Sequence, residues 1–160
     1  MVNIKIVCVG KIKEKYHRDE IDEYLKRLSR FSKCQIVEVD EEKLKDNASI
    51  KEEEMVLFKE GQRLLSQIRE EEYVFLLDLH GKEISSEDFA RKMDELISSR
   101  TSNITFVIGG SLGLSDEVRK RSNFLLKLSP MTFTHQMTRV IILEQIYRTF
   151  KINANQTYHK

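Results

Sequence analysis

Three short stretches hold most of the residues that could bind a ligand or react with one. They are "LLDLHG" (76–81), "VIGGSLGLS" (107–115) and "LSPMTFTHQ" (128–136). Each lies where an apolar run ends, so each reads as the loop at the carboxyl end of a strand, where ligands of parallel α/β sheets gather. The middle stretch carries Gly109, Gly110 and Gly113. Glycines there let backbone N–H groups come close to a ligand. Its G-G-x-x-G spacing is not the G-x-G-x-x-G of a dinucleotide site, and no Gly-Lys-Ser/Thr follows to make a P-loop. Taken alone, this loop reads equally as a tight turn. The third stretch, with the only proline of the chain, Pro130, either connects or binds.

Nucleophilic and metal chemistry find little support. Ser111, His135 and Asp78 are residues of the right type for a triad, but no G-x-S-x-G elbow accompanies them. The histidines, His17, His80, His135 and His159, form no H-x-x-x-H pair, and Cys8 and Cys34 no C-x-x-C pair. Asp78 reads as a lone acid that orients a turn.

Alternation of strand and helix must position these loops. The β-branched runs "VNIKIVCVG" (2–10) and "CQIVEVD" (34–40) predict strands, as do "YVFLLDLHG" (73–81), "ITFVIGG" (104–110) and "FLLKLS" (124–129). The near-continuous apolar character of 73–81 and 104–110 predicts strands buried on both faces. Helices are predicted at 17–31, 50–70, 85–100, 115–122 and 135–152. In the second, Met55, Phe58, Leu65 and Ile68 are expected to face inward. Five alternations predict a three-layer α/β sandwich around a mainly parallel sheet, in one domain spanning 1–160. In the last helix Met137, Val140, Ile141, Ile142, Leu143, Ile146, Tyr147 and Phe150 cover well over half the circumference. A helix outside a sheet needs one apolar stripe. The excess predicts a symmetric dimer seamed on this helix, with Ile142 in the seam.

Charge is unevenly spread. The chain of 160 residues carries +1 overall. Residues 119–160 hold eight basic residues against one acid, Glu144, a balance of +7 that leaves −6 on residues 1–118. A basic C-terminal quarter suggests an anionic partner for that face, or pairing with the acidic N-terminal part. Composition, 40% hydrophobic and 33% charged, is that of a soluble domain. No run is long and apolar enough for a membrane span, and Lys5 interrupts the only leader-like stretch, so a cytoplasmic protein without membrane partners is expected. The two cysteines read as reduced thiols.

Several motifs, in order along the chain, resemble one family. "KIVCVGKIKEKY", "LDLHGKEISSEDFA", "FVIGGSLGLSDEV", "LSPMTFTHQMTRVIILEQIYRTFKI" and the ending "YHK" are similar over the full length to the ribosomal RNA large subunit methyltransferase H family. These are small bacterial enzymes of the SPOUT class of knotted methyltransferases. The resemblance implies a trefoil knot within roughly 73–152, S-adenosylmethionine as methyl donor without a metal, a homodimer, and N3 of a pseudouridine in 23S rRNA as acceptor. It implies cofactor contacts at Leu77, at Gly109, and at Leu128, Ser129, Pro130, Met131, Thr132 and Phe133. Apolar side chains would wall a flat adenine while loop backbone groups read its edge.

Methyl transfer from a sulfonium needs orientation and management of the acceptor proton. Tyr158 and His159, in the family's characteristic ending, are candidates for the proton; folding over the pocket or gripping RNA are their other readings. Arg139 and Arg148 are candidates for contacting RNA phosphate, or for pairing with neighbouring acids. Arg148 has an i,i+4 partner in Glu144. His135 stands where it could cap the last helix. With this charge pattern the expected target is a ribosomal particle rather than a bare stem-loop. A knotted methyltransferase of tRNA or another RNA, and a non-catalytic RNA-binding protein, are the alternatives.

Overall fold

The computed structural model describes residues 1–160. Five strands alternate with five helices: β1 (Val2–Val9), α1 (Lys15–Leu28), β2 (Ser32–Val39), α2 (Ile50–Leu65), β3 (Tyr73–Glu83), α3 (Ser86–Ser98), β4 (Asn103–Ile108), α4 (Asp116–Arg121), β5 (Phe124–Lys127) and α5 (His135–Asn153). The strands form one sheet in the order β2-β1-β4-β3-β5, and every neighbouring pair is parallel. Parallel strands need crossover connections, which the helices supply. No helix is long and apolar enough to cross a membrane.

The period of two along each strand divides the core. Ile4, Ile6, Cys8, Phe75, Ile104, Phe106 and Ile108 join one cluster with residues of α1, α3 and α5. Val7, Val9, Val74, Leu76 and Val107 join a second with Leu64 of α2 and Val118 of α4. The predicted three layers are therefore present. Phe75 stacks on Phe106 at 4.9 Å between ring centroids at the middle of the sheet. Register sets Cys34 beside Ile4, four residues from Cys8. That is about 13 Å along the strand, too far for a disulfide. Burial pushes both thiols up to about 12.

Two packing expectations hold only in part. The buried face of α2 is Val56, Glu60, Gly61 and Leu64; Leu65, and Ile68 just beyond the helix, pack on the second cluster as expected, whereas Met55 and Phe58 are exposed. Gly61 explains the rotation: a Cβ there would lie 3.3 Å from Val118 Cγ2 and closer still to Ser115 Oγ, so α2 turns its one residue without a side chain toward α4. The second concerns Ile142, expected in a dimer seam on α5. This helix lies between α1 and α3 over the sheet. Ile142 is 0% exposed within a single chain, in the main core cluster. The wide apolar surface of α5 is thus covered mainly by its own chain, and Ile142 is a core residue.

Strand ends follow the local sequence. Ser49, Ser85 and Ser115 cap α2, α3 and α4 by accepting a backbone N–H at the third helical position. In β3 the pairing with β5 slips between Leu77 and Lys82, so 78–81 bulge out of the ladder. Gly81 permits this, since a Cβ there would meet the Leu125 carbonyl oxygen at 2.6 Å.

Candidate active site

The loops at the carboxyl ends of β1, β3, β4 and β5 converge on one cleft of about 760 Å³. Its lining includes Leu77, Gly109, Leu128, Ser129, Met131, Thr132 and Phe133. Seven of the eight residues expected to hold the cofactor are thereby brought together from three loops. The eighth, Pro130, is exposed and does not line the cleft. Ser129 Oγ accepts the Met131 N–H at 3.0 Å, which closes a small turn with Pro130 at its outer tip.

Each loop has its own anchor. The β4 loop folds back on itself, with Gly113 donating to the Gly110 carbonyl at 3.1 Å and adopting φ +89°. A Cβ on Gly109 would collide with the Gly113 carbonyl and lie 2.9 Å from Leu114 Cγ. The third loop ends at Thr134, whose hydroxyl accepts the Met137 N–H at 3.1 Å and caps α5. His135, one candidate for that cap, is instead the first helical residue. Burial first, then Arg139 and Lys13, hold the His135 imidazole below its ordinary pKa, so it stands neutral in the cleft.

Asp78 orients the first loop, as its position suggested. Its carboxylate accepts the His80 N–H at 3.1 Å and the Arg119 Nε–H at 2.9 Å. It makes no bond to His135, so Ser111, His135 and Asp78 form no triad. Burial pushes the Asp78 carboxyl up, but the His80 amide and the Arg119 guanidinium outweigh it and hold the pKa below the carboxylate range. A depressed folded pKa adds stability that is present above the unfolded value, about 3.9. It is lost as pH falls through the folded value. Asp78→Asn should therefore lower stability by a constant amount from neutrality down to about pH 4, and the gap to wild type should shrink in stronger acid. Urea titrations across that range test this, and a gap that widens below pH 4 contradicts it.

The basic C-terminal segment is mostly engaged internally. Arg119 pairs with Asp78 and Asp116, Lys127 with Glu83, and Arg148 with Glu144. Arg121 donates to the carbonyls of Arg69, Glu70 and Glu72. Arg139 leaves the substrate-binding set altogether. Its side chain is 0% exposed, donating to Glu38 Oε2 at 2.8 Å and to the carbonyls of Val9 and Gly10, each at 2.9 Å. A cation at this depth needs such partners, and it cannot reach a phosphate. Pairing with the acidic N-terminal part, one of the two readings of the charge pattern, is what Arg139 does.

Tyr158 and His159 do not line the cleft of their own chain. Tyr158 donates to Glu144 Oε2 at 2.8 Å and lies under the Arg148 guanidinium. Arg148 Nη1 and Glu87 Oε1 flank the His159 ring nitrogens at 3.0 and 2.5 Å. The partners assign a neutral ring that accepts from Arg148 and donates to Glu87. Burial, then the Glu144 carboxylate, pushes the Tyr158 phenol above its ordinary pKa, so it stays protonated and donates.

Sequence reasoning missed one wall. Lys13, Glu14, Tyr16 and His17, from the loop after β1 and the start of α1, also line the cleft. The signal was a strand running to Gly10 followed by a lysine-rich segment, Lys11, Lys13 and Lys15, that ends in Tyr16, the same pattern of strand and glycine that marked the β4 loop.

Known proteins place this arrangement in context. The family model described as "Predicted SPOUT methyltransferase" matches residues 2–159. The ribosomal RNA large subunit methyltransferase H of Clostridium novyi (strain NT) is 55% identical over 159 residues, covering 99% of this chain and 100% of the relative. The protein of the same name from Lactobacillus acidophilus is 53% identical with the same coverage. Among solved structures, a probable methylase family protein from Haemophilus influenzae Rd KW20 is similar with a TM-score of 0.53 and 14% identity, covering 99% of this chain and 71% of that one. At that identity the likeness is one of fold. With more than half of its residues shared with full-length relatives, the chain belongs to the ribosomal RNA large subunit methyltransferase H family of SPOUT methyltransferases.

Proposed function

We propose that this protein transfers the methyl group of S-adenosylmethionine to N3 of a pseudouridine in 23S rRNA, acting in the bacterial cytoplasm on assembled ribosomes. The observation that carries the proposal is the convergence of three loops, far apart in sequence, on one cleft whose lining includes Leu77, Gly109, Leu128, Met131 and Phe133. Its volume suits a nucleoside-sized ligand. The residues fit the methyl donor on a further count: the absence of a side chain at Gly109 lets the β4 loop fold tightly on itself, against the Gly113 carbonyl and Leu114, beside the cleft. Leu77, Leu128 and Phe133 then supply apolar walls, and the main chain of the β4 and β5 loops supplies polar groups. When bound, the sulfonium provides an activated methyl group.

The chain itself must orient the acceptor and handle the N3 proton. His135 faces the cleft in its neutral form, with a ring nitrogen able to accept a proton. Tyr158 and His159 stand apart from their own cleft, so they take part only by approaching the cleft of a second copy. The homodimer that the family resemblance implies is supported by exposed Leu79, Met131 and Met137 beside the cleft. A knot is supported by the path of the chain: after β5 at the sheet edge, the 128–134 loop returns past the 77–79 and 109–114 loops before α5 packs between α1 and α3.

The deciding experiment supplies methyl-labelled S-adenosylmethionine with ribosomes from a strain lacking the corresponding gene. Label is expected in 23S rRNA, at one pseudouridine on nucleoside mass spectrometry. Equal labelling of naked stem-loop and ribosome would remove the ribosome from the proposal. Label in tRNA alone would favour the second reading, a tRNA methyltransferase.

A further inference from the structure

Two lysines line the cleft, Lys13 and Lys127. Lys127, of the C-terminal segment, pairs with Glu83, whereas Lys13 lies with Lys11 in the loop between β1 and α1. Both are exposed, and Lys13 lines the cleft. Their backbones are engaged while their ammonium groups are free: Lys13 N–H donates to Gln136 Oε1 at 3.3 Å, and Gln136 Nε2 donates to the Lys11 carbonyl at 2.9 Å. Lys15, by contrast, pairs with Asp19. Tyr16 follows on the same rim, 61% exposed, its ring edge-on to His17 at 4.6 Å between centroids. Glu14 shares the rim and Glu41 lies beside Gly10, so the local field is mixed and the lysines act at short range.

This loop is rigid where most surface loops are not. Arg139 holds the carbonyls of Val9 and Gly10. Glu38 Oε2 accepts the Ile12 N–H at 2.7 Å as well as the Arg139 guanidinium. With the two Gln136 bonds, α5 and β2 together fix the main chain from Val9 to Lys13. A fixed loop presents its cations without the cost of ordering them on binding. A buried arginine therefore acts on the surface through the segment it holds.

We infer that the β1–α1 loop is the docking edge for the acceptor RNA, with Lys11 and Lys13 on phosphates flanking the target nucleotide and the Tyr16 ring stacked on an unpaired base. Free cations beside an exposed aromatic ring are the combination that holds single-stranded RNA. The inference rests on the proposed rRNA methyl transfer, because it is the cleft's acceptor that must arrive over this rim. Arg139, Glu38 and Gln136 are positioning residues in it.

The test compares wild type with Lys11→Gln/Lys13→Gln, Lys11→Arg/Lys13→Arg and Tyr16→Ala, in methyl transfer to ribosomes lacking the modification and in calorimetry with S-adenosylmethionine. The glutamine pair should raise the apparent KM for ribosomes about tenfold and flatten the slope of log affinity against log salt by about 1.4, two phosphate contacts' worth on a single strand. Tyr16→Ala should raise it about tenfold with the salt slope unchanged. The arginine pair should behave as wild type. Affinity for S-adenosylmethionine should stay within twofold in all three. An unchanged KM and salt slope in the glutamine pair overturns the docking edge while wild-type methylation stands. A parallel loss of S-adenosylmethionine affinity overturns it too, by assigning the loop to the cofactor. Absence of rRNA methylation by wild type is the separate failure of the functional proposal, and the docking edge falls with it.

Discussion

Gly109→Ala is expected to weaken S-adenosylmethionine binding by about 10- to 100-fold and to abolish measurable methyl transfer at ordinary donor concentrations. The cause is backbone against side chain. A Cβ at Gly109 would collide with the Gly113 carbonyl and approach Leu114 Cγ to 2.9 Å. Gly113 cannot retreat freely, because its N–H is bonded to the Gly110 carbonyl and its φ is +89°. The loop must open, and residues 110–113 line the proposed cofactor cleft. Overpacking of this kind costs about 1–3 kcal/mol. If binding must close the loop again, the cost is taken from affinity at about tenfold per 1.4 kcal/mol. Gly113→Ala is the control. Nothing lies near a Cβ there, so only the left-handed backbone opposes it, a cost of about 1 kcal/mol. Calorimetry with S-adenosylmethionine, beside urea unfolding of each variant, ranks the two. A Gly109→Ala protein that binds the donor within twofold of wild type sinks the assignment.

Gly109 and Arg139 mark the boundary of what could be read from sequence. Gly109 was legible because its signals are local. A β-branched apolar run stops at paired glycines and a capped helix follows, and each signal acts over a few residues. The same locality made all ten elements visible. Side-chain direction was less accessible. On α2, Met55 and Phe58 offered as plausible an apolar stripe as Val56 and Leu64, and the contact at Gly61 with Ser115 and Val118 chose between them. On α5, the apolar circumference was read correctly, but its covering could not be. Whether neighbours or a second copy bury such a helix depends on where α1 and α3 pack. Lys13 and Tyr16 were missed for a related reason. Their loop belongs to the first strand, and only the adjacency of β1 and β4 in the sheet carries it to the cleft.

Removing the Arg139 guanidinium should be among the most damaging single changes outside the cleft. Arg139→Met leaves the carbonyls of Val9 and Gly10 without these donors and leaves Glu38 with the Ile12 N–H but no cation. Truncating one partner of a buried pair costs about 3–5 kcal/mol. The two partners are not equivalent, however. The Glu38 side chain is 27% exposed and can recruit water, whereas Arg139 is 0% exposed and always charged. Glu38→Gln therefore strands a cation in the interior and should cost as much as Arg139→Met, even though the amide oxygen can still accept. The Arg139→Met/Glu38→Gln protein removes both charges, and it should be more stable than the two single losses added together, by about 1–3 kcal/mol. Urea unfolding of the four proteins measures this coupling. Additive losses would mean that the pair is not coupled and that Arg139 acts only through the two carbonyls. Because the same guanidinium fixes the β1–α1 loop, the double variant should also show a raised KM for ribosomes with its S-adenosylmethionine affinity kept, a split that a general loss of folded protein would not produce.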